Sequence, residues 1–181
     1  MNQVPNPEPR IPNVILIGYR GTGKTTVGRL LAKRLNWAFV DADDEVECAA
    51  GKSIAEIFAE DGEVAFRDLE QQTVADLTQR PNTVVSLGGG AVLRSENRAA
   101  IRAGGSVIWL TASPKTIHAR INSDATTGAR RPNLTSQGGL AEIEQLLQQR
   151  EAFYRECADI EVDTDDAGLD DLAVKILDAL P

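Results

Sequence analysis

Apolar positions fall in short blocks whose spacing switches between continuous runs and a helical repeat, with turn residues between the blocks. Val14-Ile15-Leu16-Ile17 is a continuous apolar run of the kind a buried parallel strand carries. Val27, Leu30, Leu31 and Leu35 then recur at helical spacing. Trp37-Ala38-Phe39-Val40 reads as a second strand. Ser53-Ile54-Ala55-Glu56 is a capping box, with Ile54, Ile57 and Phe58 as the apolar face behind it. A longer helix follows over roughly Glu63 to Gln79. Thr83 to Leu87 and Ser106 to Leu110 are the third and fourth strands, with a short helix near Ser95 to Ala103 between them. Ser113-Pro114 opens another helix, Ser at the cap and Pro in the first turn. Leu140 to Cys157 is helical, with Ile143, Leu146, Leu147 and Phe153 as its expected core. Ile160-Glu161-Val162 is a fifth strand, and Leu169, Leu172, Ala173, Ile176, Leu177 and Leu180 pattern the last helix. Five strands alternating with helices predict an α/β fold with a mainly parallel sheet.

Two stretches break the pattern. Met1 to Pro12 is polar and carries Pro5, Pro7, Pro9 and Pro12, so a disordered tail is expected ahead of a single domain over 13–181. Asn122 to Gly139 is rich in Ser, Thr, Gly and Asn, almost without apolar residues, and contains Arg130-Arg131-Pro132. A polar segment of that length inside a compact domain is usually functional or mobile, and a lid that closes over a nucleotide is the expected role.

The blocks enclose one strong chemical signal. Gly18-Tyr19-Arg20-Gly21-Thr22-Gly23-Lys24-Thr25 fits G-x-x-x-x-G-K-[ST] in full, after a strand and before a helix. Glycines let successive backbone N–H groups turn toward phosphate oxygens, and the helix start adds its positive end. Gly21, Thr22, Gly23, Lys24, Thr25 and Thr26 are the expected ATP-binding set, with Lys24 on the β- and γ-phosphates and the Thr25 hydroxyl on Mg²⁺. The second strand ends at Asp41-Ala42-Asp43, where a P-loop protein places a carboxylate beside its metal. Asp44 and Glu45 read as ordinary acidic helix starters. The third strand runs into Gly88-Gly89-Gly90, which permits close approach of backbone to ligand. Arg67 and Glu70 are one turn apart and, taken alone, read as a surface ion pair. His118 has no partner suggested by the sequence.

Composition narrows the class. Of 181 residues, 42% are hydrophobic and 25% charged, as in a soluble globular chain, and the net charge of −8 argues against nucleic acid as a main partner. The sequence has no long apolar N-terminal run, so neither a signal peptide nor a membrane span is expected. Cys48 and Cys157 form no metal or redox motif and read as two small apolar fillers in a reduced cytoplasm.

Taken together, these stretches resemble the shikimate kinase family of small P-loop metabolite kinases. The resemblance rests on Gly18 to Arg29, on Asp41-Ala42-Asp43 with Glu47, on Phe66-Arg67-Asp68-Leu69-Glu70 and on Leu87-Gly88-Gly89-Gly90-Ala91, with Arg131-Pro132, Arg150 and Tyr154-Arg155 agreeing. It implies a three-layer sandwich with strand order 2-3-1-4-5 and a mobile lid. It also implies transfer of the ATP γ-phosphate to the 3-hydroxyl of shikimate; Mg²⁺ as cofactor, a cytoplasmic location and a monomer are expected alongside it. On this resemblance Asp43 would bind and activate the substrate hydroxyl, and Arg67 and Arg150 would hold the carboxylate; Asp41, at the end of the second strand, is expected in the outer shell of the metal. Gly89 and Gly90 would contact substrate through backbone, Arg120 would flank adenine, and Arg131 would close onto ATP from the lid. The sequence departs from the family in the eleven-position spacing from Arg120 to Arg131, longer than the family's, at Asn133, and at the acidic Thr164-Asp165-Asp166. A gluconate or nucleoside monophosphate kinase is the nearest alternative. A GTP-dependent switch would need an Asn-Lys-x-Asp motif, which the chain lacks, and its D-x-x-G match at Asp165 to Gly168 falls after the fifth strand.

Overall fold

The computed structural model describes residues 13–123 and 139–181. The tail over 1–12 and most of the polar segment, including Arg130, Arg131 and Asn133, lie outside the described residues. In chain order the elements are β1 (Val14–Ile17), α1 (Lys24–Leu35), β2 (Ala38–Asp41), α2 (Ala42–Ala50) and a helical turn α3 (Ile54–Glu56). A π turn over Ile57–Asp61 then leads into α4 (Gly62–Leu77). There follow β3 (Thr83–Ser86), α5 (Ser95–Ala103), β4 (Ser106–Thr111), α6 (Pro114–Ser123), α7 (Gly139–Cys157), β5 (Ile160–Asp163) and α8 (Leu169–Ala179).

The five strands form one sheet in the order β2-β3-β1-β4-β5, with every neighbouring pair parallel. Central β1 pairs on both sides, Ile15 standing opposite Val85 and Val107. The two-residue period of the strands divides the core. Ile15, Ile17, Val85, Val107 and Trp109 face α4, α5 and α7, which cover them with Val74, Leu77, Ile101, Tyr154 and Cys157. Val14, Leu16, Val84, Ile108 and Val162 face α1 and α8, which supply Val27, Leu31, Leu172 and Ile176. Helices on both faces explain why β1, β3 and β4 carry apolar runs rather than alternation. All five carboxyl ends reach one edge, which is where ligands bind in such sheets.

A smaller core stands beside this edge. Val46, Ile54, Ile57 and Phe66 pack α2, α3 and the start of α4 together. The capping box forms as expected: Ser53 Oγ accepts from the Glu56 N–H, and Glu56 accepts from the Ser53 N–H.

Three expectations change. Cys48 is exposed and fills no core; only Cys157 is buried, and burial pushes its thiol up to about 11, so it stays neutral. Leu147 and Phe153 are only partly buried, because the inward face of α7 runs through Leu146, Arg150, Tyr154 and Cys157. A polar Arg150 in that ladder hides its phase from a hydrophobicity pattern. Asn122 and Ser123 belong to α6 rather than to a lid, with Ser123 Oγ donating back to the Arg120 carbonyl at 2.9 Å.

Helix ends α4 and α5 meet at Gly104, where a Cβ would stand 2.6 Å from Thr78 Cβ and 3.0 Å from the Thr78 carbonyl oxygen. Thr78 is fully buried, and part of what Cβ meets is backbone, so neither side can yield cheaply. Gly104→Ala is expected to cost about 1–3 kcal/mol of stability by overpacking, measured as a lowered urea midpoint with an unchanged m-value.

Candidate active site

The loop after β1 is held in shape by its glycines. Gly18 adopts φ 140°, and a Cβ there would lie 2.3 Å from the Leu110 carbonyl oxygen. Gly23 caps α1 with φ 90°, a left-handed conformation that costs an L side chain strain. The first turn of α1 has no acidic residue, so its positive end is left for an anion. Thr22 ties the loop shut, its hydroxyl donating to the Tyr19 carbonyl at 2.8 Å. Buried Lys24 points into the same loop: Nζ donates to the carbonyls of Gly18 at 2.9 Å and Tyr19 at 2.8 Å. A phosphate offers the ammonium charged acceptors in place of these neutral ones.

Beside the loop, the end of β2 supplies oxygen atoms of a kind that suits a hard cation. Thr25 Oγ1 donates to Asp41 Oδ2 at 3.0 Å, which leaves the hydroxyl lone pairs free for a hard cation. Asp41 also caps α2, Oδ1 accepting from the Asp43 N–H at 3.1 Å. Asp41 therefore joins the metal-side cluster and a helix cap at once. Burial, and then the charge of Asp43, raise the Asp41 pKa above the usual carboxylate value. Among the described residues no group of three or more His, Cys, Asp or Glu could hold a metal alone. Thr25 and Asp41 thus fit a divalent cation shared with phosphate oxygens and water. Glu45 lies one turn on and pairs with Arg80 at 2.9 Å, an ordinary surface contact.

The second half of the site is built on Gly89-Gly90. Arg150 Nη1 donates to the Gly89 carbonyl at 3.1 Å, and the buried Tyr154 hydroxyl donates to the same oxygen at 2.6 Å. A Cβ on Gly90 would stand 2.5 Å from Arg67 Nη1 and 2.7 Å from Nη2, so the Nη1–Nη2 edge of the Arg67 guanidinium is turned toward that residue. Arg67 and Glu70 are both buried, with Nη1 to Oε2 at 2.7 Å. They are not the surface pair that their spacing suggests, because Phe66 and the small core turn this face of α4 inward. Gly89 in turn abuts the P-loop, its Cβ position 3.4 Å from Tyr19 Cα and Arg20 N. Two buried arginines and the phosphate loop therefore share one dipeptide.

On the far side of the loop, Arg120 donates to the Thr164 hydroxyl at 2.9 Å and to the Thr164 carbonyl at 2.7 Å. A cavity of about 230 Å³ lies there, lined by Thr22, Gly23, Thr26, Arg120, Thr164 and Leu172. Asp165, acidic where a base would suit a nucleotide, is absent from this cavity's lining and accepts from the Ser113 N–H at 2.9 Å. A larger cavity of about 500 Å³ flanks β2 and shares with the P-loop cluster only Asp41. His118 is half-buried on α6, its ring 3.3 Å from the Asn122 amide, and takes no part in the site.

Comparison with known proteins identifies the family and supports the fold. The family model described as Shikimate kinase matches residues 20–181. The chain belongs to the shikimate kinase family. It is 44% identical over 176 residues to the shikimate kinase of Rhodopirellula baltica, covering 97% of this chain and 94% of that one. Among solved structures, the shikimate kinase of Acinetobacter baumannii in complex with shikimate superposes with a TM-score of 0.85 at 37% identity, covering 92% of this chain and 91% of that one. That of Bacteroides thetaiotaomicron gives 0.83 at 28%, covering 93% and 97%.

Within this shikimate kinase family fold, Lys24, Thr25, Asp41 and Asp43 gather at the ends of β1 and β2, and Arg67, Gly89, Gly90 and Arg150 at the end of β3. Arg120 stands with Thr22, Gly23 and Thr26 on the other flank. That the Tyr154 hydroxyl and Thr164 hold this frame has no local signal in the sequence.

The raised Asp41 pKa carries a pH signature. Protonated Asp41 is favoured in the fold, so this group adds stability at acid pH and loses it as pH rises through its raised pKa. Cation binding runs the other way, since it needs the carboxylate. Manganese affinity in the presence of ATP should therefore fall as pH drops, starting above the usual carboxylate range. Asp41→Asn should bind manganese more weakly with a flattened pH dependence, read by electron paramagnetic resonance.

Proposed function

We propose that this protein is a shikimate kinase that transfers the γ-phosphate of ATP to the 3-hydroxyl of shikimate, giving shikimate 3-phosphate and ADP. The observation that carries this reading is the meeting of Arg67 and Arg150 on a dipeptide that packs against the P-loop. A carboxylate is recognised by planar, charge-assisted bonds from such arginines, and the neighbouring phosphate site brings donor and acceptor together. The 37% identical relative solved with shikimate supports the same acceptor.

Phosphoryl transfer asks for positioning and charge neutralisation more than covalent chemistry. Backbone N–H groups of Gly21 to Lys24 and the start of α1 receive the β- and γ-phosphates, and Lys24 exchanges its loop carbonyls for them. Thr25 would hold Mg²⁺, with Asp41 behind it. When bound, the ion neutralises charge on the phosphate oxygens. Arg67 and Arg150 orient shikimate by its carboxylate, and Gly89 and Gly90 let the ring approach the backbone. Asp43 accepts the proton of the attacking hydroxyl as its oxygen bonds to phosphorus and ADP leaves. Arg120 is assigned to the adenine side, and Arg131, which lies outside the described residues, to the ATP phosphates. No helix among the described residues is long and apolar enough to cross a membrane. The reading is of a cytoplasmic monomer whose single catalytic domain spans 13–181 with its lid between α6 and α7.

A coupled ADP-release assay across shikimate, gluconate and a nucleoside monophosphate tests the assignment. Turnover with shikimate alone is expected; comparable turnover with either other acceptor would contradict it. Asp43→Asn keeps the shape and removes the charge, and its kcat should fall on the order of 10²-fold or more. Tyr154→Phe removes one of the two donors on the Gly89 carbonyl, worth about 1 kcal/mol. It should weaken shikimate binding several-fold and leave ATP affinity unchanged, as read by calorimetry.

A further inference from the structure

The proposed role of Arg67 raises a difficulty that the surrounding charges make specific. Two protein carboxylates already hold this guanidinium. Glu70 Oε2 takes Nη1 at 2.7 Å, while Glu63 Oε1 takes both Nη2 at 3.2 Å and Nε at 3.4 Å. Nε and Nη2 form one of the two edges through which arginine grips a carboxylate with parallel bonds. The other such edge, Nη1–Nη2, faces Gly90 and already gives Nη1 to Glu70, so the edge left for a substrate acid is the one that Glu63 covers.

The two glutamates differ in every respect that decides which one can leave. The Glu70 side chain is 3% exposed and its bond is short; the Glu63 side chain is 62% exposed and its two contacts are long and share a single oxygen. An exposed carboxylate regains full hydration when it swings away, whereas a buried one cannot. Glu63 also lies in the first turn of α4, just after Gly62, where the positive helix end stabilises its charge without Arg67. Arg67 itself cannot follow it, being buried with its Nη1–Nη2 edge against Gly90 and held by Glu70. Glu63 and Glu70 together outweigh the single charge of Arg67, which leaves Arg150 alone to attract a third carboxylate.

We propose that Glu63 is an internal competitor for the substrate carboxylate: it covers the Nε–Nη2 edge of Arg67 and must be displaced into solvent before a carboxylic acid can bind there. This rests on Arg67 being a carboxylate-binding residue. Glu63 keeps the buried guanidinium paired in the free protein, and it sets the affinity that an acid must show to enter. Its removal should therefore tighten acid binding, whereas removal of a residue that helps to grip the substrate would weaken it.

Shikimate affinity measured by calorimetry on the full chain tests this, using the parent, Glu63→Gln, Arg67→Ala and the double variant. ATP affinity serves as the control for global change. Glu63→Gln should tighten shikimate binding by about two- to fivefold, the range of a partly exposed ion pair, with ATP affinity unaltered. The tightening should vanish in the Arg67→Ala background, because the two effects share one guanidinium. Unchanged or weaker binding by Glu63→Gln, with Arg67→Ala strongly impaired, would overturn the proposal and make Glu63 a mere orienting partner. Unimpaired binding by Arg67→Ala would overturn both the proposal and the assignment of Arg67 on which it stands.

Discussion

The backbone carbonyl of Gly89 accepts two side-chain donors at once, Arg150 and Tyr154, both from α7. A carbonyl has two lone pairs, so this oxygen is saturated and its peptide plane is fixed. The rest of the site depends on that plane. It anchors the end of β3 to α7, and it holds Gly89 against Tyr19 and Arg20 of the P-loop. It also places Gly90 where the Nη1–Nη2 edge of Arg67 can approach the bare backbone. Tyr154 is in turn stacked on Trp109 of β4, with ring centroids 5.6 Å apart. Three strand ends are thereby clamped by a single residue that has no Cβ to keep them apart.

Charge is arranged on this frame with little left unpaired. Lys24 rests on loop carbonyls, Thr25 and Asp41 share a proton, and Arg67 sits between Glu63 and Glu70. Each of these buried or half-buried ions thus has a partner, as low dielectric demands. The partners grade from fixed to mobile. Glu70 is deep and permanent, whereas Glu63 and the loop carbonyls are contacts that a ligand can replace with stronger ones. A net charge of −8 does not prevent the handling of anionic substrates, because the arginines and the helix end act within a few ångströms while distant charge is screened.

How much of this is legible in the sequence depends on separation along the chain. The P-loop is legible because its eight residues are contiguous and its flanking strand and helix stand next to it. Sheet order comes only through resemblance to a family, since local periodicity says nothing about which strands pair. Arg67 and Glu70 show the limit of spacing: an i, i+3 pair fixes contact and leaves burial undecided, and it is Phe66 and the small core of Val46, Ile54 and Ile57 that turn the pair inward. Tyr154 acts on a residue 65 positions away, and Arg150 on the same one from 61. Contacts at that range arise from the packing of α7 on the sheet, which no window of sequence contains. Cys48 escapes a sequence reading for a related reason, because a small apolar residue on a polar helix carries no mark of which face it occupies.

On the proposed function, Arg67 and Arg150 on Gly89-Gly90 build one carboxylate site joined to the phosphate loop, and transfer depends on that junction. A crystal structure of the protein with shikimate and a non-transferable ATP analogue tests it directly. The shikimate carboxylate should lie within hydrogen-bond distance of both arginines, with its 3-hydroxyl between Asp43 and the γ-phosphate. A carboxylate bound away from both arginines, or a ring that leaves the 3-hydroxyl out of reach of the phosphate, would contradict it.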